Sequence, residues 1–256
     1  MREFDELVKI VERLRRPEDG CPWDKKQTHE SLVPNFIEEL YECVEAIEKQ
    51  DLSHLSEELG DLMLHIVMQS QIAQEEGQFQ IADVLNKINE KITNRHPHIF
   101  GDAVVETAEE VKLNWEQIKL KEKKDRKSAI DGIPHGMPKL IVAQRMQEKA
   151  AAVGFDWNNH DQVFNKLDEE VLELKEAIEE GDSEHIQEEI GDVIFTAVNL
   201  SRKLGFDSET ALTKTISKFE RRFKQVEERF KKKEQSMHNC TLEQLDEVWD
   251  AVKDTE

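Results

Sequence analysis

Two segments of this chain decide its fold, because they are copies of one another. Residues 38–61 read EELYECVEAIEKQDLSHLSEELGD, and residues 169–192 read EEVLELKEAIEEGDSEHIQEEIGD. At an offset of 131 residues they match without a gap at 13 of 24 positions. Coincidence does not produce that many identities in one register, so the chain is a tandem duplication.

The boundary between the two copies is predicted midway along the 256-residue chain. There a charged run, KEKKDRK at residues 121–127, is followed by Gly132, Pro134, Gly136 and Pro138. Charged residues followed by helix breakers are typical of a linker. We therefore predict an N-terminal domain at 1–120, a linker at 121–137 and a C-terminal domain at 138–256.

Apolar residues recur at helical spacing in both halves. The predicted helices cover residues 3–16, 34–49, 53–76, 80–95 and 106–121, and then 138–152, 160–180, 183–204, 208–233 and 241–253. Thr241 with Gln244 forms a capping-box pattern, and Asp207 or Ser208 can cap the helix that begins there. Short connections between helices favour antiparallel packing. The expected fold class is all-α, with two tandem helical-bundle domains.

Composition narrows the classes of function. The chain carries 35 basic and 56 acidic residues, a net charge of −21, which argues against general nucleic-acid binding and against docking on an anionic membrane. No apolar run approaches the ~20 residues that span a membrane, and the N-terminus does not resemble a signal peptide. Three cysteines without a CxxC pattern suit a reducing compartment. We expect a soluble cytoplasmic protein that binds neither nucleic-acid polymers nor membranes.

The duplicated acids allow two interpretations. On a helical wheel Glu38, Glu39 and Glu42 lie away from the apolar residues, as in any amphipathic helix with a solvated acidic face. The next helix differs, because apolar residues, Leu59 and Met63 among them, surround Glu58 and Asp61 on most of the circumference. Such a helix is predicted to be buried, and buried carboxylates need a cation or a metal. Each half thus offers Glu-Glu-x-x-Glu on one helix and Glu-x-x-Asp on the next. Oxygen ligands without Cys or an obligatory His favour Mg²⁺ or Mn²⁺.

Histidines near these acids are given other roles. A di-iron bundle would need Glu-x-x-His, but Asp61 and Asp192 stand at that position. His65 is not repeated in the second half, so we interpret it as structural. His54 and His185 are repeated, yet each begins a helix beside acids, where capping or packing is the favoured role.

A basic pair follows the acids in each half. The two cations of a pair stand four residues apart and share a helix face. The pairs are Lys91 with Arg95 and Lys218 with Arg222. Each is either a solvated face or a clamp for phosphates, and recurrence in both halves favours the clamp. A Trp follows in each half, Trp115 and Trp249, which can stack on a base although a helical Trp more often belongs to the core.

These motifs resemble the MazG family of nucleoside triphosphate pyrophosphohydrolases, within the all-α NTP pyrophosphatase group. Besides the acids, the matching residues of the first half are GCPWD at 20–24, QTH at 27–29 and RHPHIFG at 95–101. Those of the second half are GFDW at 154–157 and KFERRF at 218–223. The paired acidic motif is specific in combination, whereas Glu-Glu-x-x-Glu alone means little in so acidic a chain.

The resemblance implies a homodimeric helical bundle and Mg²⁺-dependent hydrolysis of NTPs or dNTPs between the α- and β-phosphates. It implies that the repeated acids bind the metal, namely Glu39, Glu42, Glu58 and Asp61, and Glu170, Glu173, Glu189 and Asp192. The candidates to orient or deprotonate the water are Glu38 and Glu169. The candidate substrate-binding residues are Lys91, Arg95, Trp115, Lys119, Lys218, Arg222 and Trp249. The products would be a nucleoside monophosphate and pyrophosphate, in a nucleotide-pool housekeeping role.

Two other functions fit the same residues, and the two halves need not contribute equally. A nucleotide sensor would bind metal and nucleotide without releasing pyrophosphate, and an acidic scaffold would gain no thermal stability from metal. Pro97 interrupts the first half after Arg95, whereas the helix that carries Lys218 and Arg222 can run on to Arg229. We therefore predict that the second half carries most of the turnover, because a longer rigid helix holds phosphate ligands more firmly.

Overall fold

The computed structural model describes residues 2–103, 105, 107, 110–111, 114–115, 118, 127–134 and 136–254. The chain forms two compact units, Met1–Glu106 and Thr107–Glu256. The predicted domain limits and linker stay predictions, since residues 119–126 lie outside the described part.

The first unit is built around one long central helix. Its helices are α1 (Arg2–Leu14), α2 (Val33–Glu48), α3 (Leu52–Glu75), α4 (Ile81–Arg95) and the short α5 (Pro97–Phe100), with a 3-10 turn at Asp24–Lys26. Helix α3 packs against α1, α2 and α4. The core of this unit lies between α1 and α3, where Val11, Val67 and Ile72 are buried together.

The second unit has the same order of long helices. They are α6 (Lys139–Ala152), α7 (His160–Glu180), α8 (Ser183–Lys203), α9 (Ser208–Lys232) and α10 (Leu242–Lys253), with a 3-10 turn at Met237–Asn239. Helix α8 packs against α6 and α7, and α9 packs against α10. Val226, Phe230 and Val252 form the buried cluster between α9 and α10.

These helices confirm the all-α fold. Within the described residues there is no strand, and no helix is long and apolar enough to cross a membrane. Nine of the ten predicted helices match the structure to within two residues at each end. The tenth, at 106–121, falls mostly on residues outside the described part.

Side-chain caps determine where the acid-bearing helices begin. Asp51 accepts hydrogen bonds from two backbone N–H groups in the first turn of α3, and Asp182 does the same for α8. The predicted capping box of Thr241 with Gln244 and the predicted cap at Asp207 are confirmed. Because α3 and α8 start at equivalent residues, their acids stand at equivalent positions along each helix.

The turn that precedes each of these helices differs in one residue. Gln50 has a φ of 56° where Gly181, at the equivalent position, has a φ of 77°. The left-handed conformation costs a residue with a Cβ roughly 1 kcal/mol, whereas glycine adopts it freely. The first unit therefore contains a strained turn that the second unit does not.

Candidate metal centre

The acids of each unit lie on two packed helices joined by a short turn. Helix α2 ends at Glu48 and α3 begins at Leu52, while α7 ends at Glu180 and α8 begins at Ser183. Helices that pack after so short a connection run antiparallel. The acids near the middle of one helix are thereby brought opposite those in the first turns of the next.

The first cluster consists of Glu39, Glu58 and Asp61. One carboxylate oxygen from each lies within 4.8 Å of the others. Glu58 is buried, and the other two are half-buried. Burial, followed by the negative charges of Asp61, Glu42 and Glu58, raises the pKa of Glu39 to about 7. The first cluster therefore holds negative charge that a cation would stabilise.

The second cluster consists of Glu170, Glu173 and Glu189, whose oxygens also lie within 4.8 Å of one another. Glu170 is buried, and a hydrogen bond with Glu170 together with burial raises the pKa of Glu173. The Oε2 atom of Glu189 is buried without a hydrogen-bond partner in the described part of the chain. A buried oxygen in that position fits a metal ligand, and an all-carboxylate set suits a hard divalent cation.

A lysine distinguishes the second cluster from the first. Lys166 Nζ lies 2.6 Å from Glu169 Oε1 and 3.1 Å from Glu170 Oε1. Hydrogen bonds to these two carboxylates raise the pKa of Lys166 above its ordinary value. The residue at the same position of the first copy, 131 residues earlier, is Asn35. Only the second cluster therefore has this built-in cation at that position.

Six of the eight predicted metal ligands come together in these two clusters. Glu42 is half-buried on α2, close enough for its charge to raise the pKa of Glu39, but it is not one of the three clustered acids. Asp192 is exposed on α8 and is likewise outside the second cluster of three. Glu38 and Glu169, the predicted water-orienting acids, are exposed beside the clusters. The ligand sets and these roles stay predictions.

Two histidines that we assigned to capping or packing reach the clusters. His54 Nε2 lies 2.7 Å from Glu58 Oε1, and His185 Nε2 lies 3.3 Å from Glu189 Oε1. Asp51 and Asp182 cap the backbone N–H groups of these histidines, so the imidazoles themselves are not the caps. The spacing of four residues from each His to its Glu was the signal in the sequence that could have identified the contact.

His65 is buried, as expected for a structural residue. Its ring lies 5.6 Å from that of Phe36, and burial lowers its pKa. This contact joins α3 to the first turn of α2, the helix that carries Glu39 and Glu42.

The predicted phosphate-binding cations lie on α4 and α9. Lys91 is exposed at the edge of an apolar groove between α1, α3 and α4, and Arg95 is buried at the end of α4. Lys218 is exposed and Arg222 is half-buried on α9. As expected from Pro97, α4 ends at Arg95, whereas α9 continues to Lys232. Contact of these cations with a nucleotide stays a prediction.

The predicted base-stacking tryptophans are both half-buried. The Trp249 ring lies 5.2 Å from that of Phe219 and packs on the buried cluster between α9 and α10. Trp115 is helical, as is its neighbour Asn114. The candidate Lys119 falls outside the described residues. Trp249 is therefore anchored on Phe219, the residue that follows Lys218 in the chain.

Comparison with known proteins agrees with this geometry. The family model for the MazG nucleotide pyrophosphohydrolase domain matches twice, at residues 27–100 and 158–227. The chain is 43% identical over 259 residues to a nucleoside triphosphate pyrophosphohydrolase of Escherichia coli, covering 99% of this chain and 98% of that protein. It is 47% identical over 251 residues to the nucleoside triphosphate pyrophosphohydrolase/pyrophosphatase MazG of Thermotoga maritima, covering 98% and 95%.

A third relative extends beyond the length of this chain. The chain is 43% identical over 256 residues to the uncharacterized protein YabN of Bacillus subtilis, covering 99% of this chain and 52% of YabN. Both matched segments of the family model contain one acid-bearing helix pair. The two carboxylate clusters thus lie in two copies of one domain, and the chain belongs to the MazG family of nucleotide pyrophosphohydrolases.

Proposed function

We propose that this chain is a nucleoside triphosphate pyrophosphohydrolase that uses Mg²⁺, with Mn²⁺ as a substitute. It hydrolyses NTPs or dNTPs to the monophosphate and pyrophosphate and so contributes to nucleotide-pool housekeeping. The observation that carries the proposal is the convergence of three carboxylates on a packed helix pair in each of the two MazG domains. Carboxylate oxygens alone favour a hard divalent cation that retains positions for water and phosphate.

The chain's own residues divide into three roles. Glu39, Glu58 and Asp61 would hold the metal in the first unit, with Glu42 completing the set. In the second unit Glu170, Glu173 and Glu189 would hold it, with Asp192 completing the set. A bound Mg²⁺ would neutralise phosphate charge and place the α-phosphorus for in-line attack by water. An exposed carboxylate next to a metal cluster can orient or deprotonate that water, which is the role we propose for Glu38 and Glu169.

Substrate binding is proposed for the cations and for the tryptophan of α9 and α10. Lys218 and Arg222 would steady the triphosphate and the negative charge that develops on the leaving pyrophosphate. Trp249 is half-buried on Phe219, which would hold its indole in one orientation for stacking on a base. Lys91, Arg95, Trp115 and Lys119 are the corresponding candidates of the first half.

The test is a pyrophosphate-release screen over NTPs and dNTPs with EDTA, Mg²⁺ or Mn²⁺. We expect no turnover in EDTA and recovery with either metal. The control is the double variant Glu58→Gln with Glu189→Gln, which removes one buried ligand from each cluster and should release no pyrophosphate. Full activity in metal-free buffer would overturn the proposal. Nucleotide-dependent stabilisation without pyrophosphate would indicate a sensor, and no metal-dependent rise in Tm would indicate a scaffold.

A cytoplasmic location remains our prediction from the cysteine pattern.

A homodimer is also proposed. The helix pair α2/α3 buries one face and leaves Leu40, Tyr41 and Val44 more than a third exposed. On α3 the apolar residues Leu59 and Met63, predicted to be buried, are also exposed. A single helix pair covers only one side of each helix, so a second copy that packs on these faces would bury them. Sedimentation equilibrium would test the dimer.

A further inference from the structure

We infer that His54 and His185 are positioning residues that orient one metal ligand in each cluster, an inference that rests on the proposed function. Each imidazole Nε2 faces a carboxylate oxygen of a clustered glutamate, at 2.7 Å for Glu58 and 3.3 Å for Glu189. These glutamates belong to the two groups whose oxygens converge within 4.8 Å. The histidines themselves are outside both groups.

The local fold presents each histidine at the same place. In each unit an aspartate, Asp51 or Asp182, caps the helix and accepts a hydrogen bond from the backbone N–H of the histidine three residues later. The imidazole then reaches one turn along the helix to the glutamate four residues further on. The capping aspartate, the histidine and the glutamate therefore lie within about the first two turns of one helix.

Packing alone does not account for these histidines. Their side chains are 37% and 41% exposed, so more than a third of each imidazole remains in contact with solvent. The side chains of the glutamates that they face are only 7% and 12% exposed. A buried carboxylate with two oxygens must direct one of them to the metal, and a contact of the imidazole Nε2 atom with the other oxygen selects that orientation.

The second unit shows this division of the two oxygens. Glu189 Oε1 faces His185, while Glu189 Oε2 is buried and has no hydrogen-bond partner among the described residues. Oε2 is thus the oxygen left for a metal. In addition, His185 Nδ1 lies 3.4 Å from Glu180 Oε2 at the end of α7, which orients the ring from its other side.

Substitution separates a positioning role from a structural one. Leucine removes the donor, whereas glutamine has an Nε2 donor at the end of a side chain of similar reach. Loss of an outer-shell partner typically weakens metal binding about 10- to 100-fold. We therefore expect His185→Leu to weaken Mn²⁺ binding by about tenfold and His185→Gln to restore most of it, with the same pattern for His54→Leu and His54→Gln.

Each site is measured separately by electron paramagnetic resonance of free Mn²⁺. The His185 variants are titrated in a Glu58→Gln background and the His54 variants in a Glu189→Gln background, so that one cluster is silenced. His160→Leu is the matched control, because His160 lies 3.4 Å from Asp161, outside both clusters, and should leave the Mn²⁺ affinity unchanged. Circular dichroism checks that the helical content is retained.

The outcomes distinguish this inference from the proposed function. If the wild-type chain binds Mn²⁺ and releases pyrophosphate but the leucine variants bind Mn²⁺ as tightly as wild type, the positioning role is wrong and the proposed function stands. Equal weakening by leucine and glutamine also overturns it, because the donor would then be irrelevant. If the wild-type chain binds no Mn²⁺ and releases no pyrophosphate, the proposed function fails and the positioning role with it.

Discussion

Exchange of one residue between the two copies should exchange the metal affinities of their clusters. Lys166 forms an ion pair with Glu170 of the second cluster, whereas the equivalent residue of the first copy is the neutral Asn35. A metal that takes Glu170 as a ligand must displace Lys166 from it. We therefore expect Lys166→Asn to tighten Mn²⁺ binding at the second cluster and Asn35→Lys to weaken it at the first.

The expected change in Mn²⁺ affinity follows from the distance between Lys166 Nζ and Glu170 Oε1, which is 3.1 Å. Two unit charges at that separation attract by ~1.3 kcal/mol at the dielectric constant of water. The lysine side chain is 31% exposed, so salt screening and the entropy lost by the lysine side chain reduce this value to ~1 kcal/mol, the upper end for exposed pairs. About 1 kcal/mol corresponds to roughly a fivefold change in the Mn²⁺ dissociation constant.

The assay is the Mn²⁺ titration at low ionic strength, with the other cluster silenced by Glu58→Gln or Glu189→Gln. Lys166→Arg is the control, because it preserves the positive charge and should bind Mn²⁺ much as wild type does. The effect should shrink at high salt, where exposed charges are screened. Unchanged or weaker binding by Lys166→Asn would refute the reasoning, since the lysine would then not compete with the metal.

Four further predictions follow from other features of the two units. Asp61→Asn and Asp192→Asn, assayed on the same nucleotides, show which half carries the turnover. We expect loss of activity in Asp192→Asn alone. Loss of activity in Asp61→Asn alone would contradict the assignment to the second half, and equal partial losses would indicate two functional sites. Lys218→Ala and Arg222→Ala should raise KM or lower kcat substantially while circular dichroism shows an intact helix, because Ala is a good helix former; unchanged kinetics with ATP would make both residues surface cations. Because the pKa of Glu39 is raised from 4.5 to about 7, its ionisation destabilises the metal-free chain as the pH rises through that interval, so Mg²⁺ should raise Tm more at about pH 8 than at about pH 5.5, and Glu39→Gln should remove the difference. Gln50→Gly should stabilise the first unit by about 1 kcal/mol and Gly181→Ala should destabilise the second by a similar amount in urea unfolding, because both positions have a left-handed φ; a destabilised Gln50→Gly would show that the Gln50 side chain matters more than the backbone.

The helices could be predicted from the sequence because their signals are local. Apolar residues at a period near 3.6 mark each long helix, and residues such as Thr241 and Asp207 mark where helices begin. The short α5 and the two 3-10 turns were not predicted, since elements of three or four residues contain no complete period. The exposure of Leu59 and Met63 was also missed, because a circumference of apolar residues indicates burial without indicating by which chain.

The site could be predicted in part, for a reason that is equally physical. A helical wheel gives the direction of each acid but not the distance between two helices. The sequence alone therefore could not separate the three acids that converge in each unit from Glu42 and Asp192, whose role as ligands stays a prediction. The contact of His54 with Glu58 is a four-residue spacing within one helix and was available from the sequence. Lys166 was overlooked because it lies three residues before the repeated segment, where the two copies no longer match.

Divergence at these few positions makes the two copies electrostatically unequal although their acids are the same. In the first cluster no lysine stands at position 35, and burial, followed by the negative charges of the neighbouring acids, raises the pKa of Glu39 to about 7. In the second cluster Lys166 neutralises part of the charge, although a hydrogen bond with Glu170 together with burial still raises the pKa of Glu173. Metal binding therefore competes with protons at both clusters, and at the second cluster it competes in addition with an ammonium group of the chain itself. When metal is scarce at alkaline pH, the first cluster should fill before the second, which makes occupancy of the second cluster the step that depends most on the metal concentration.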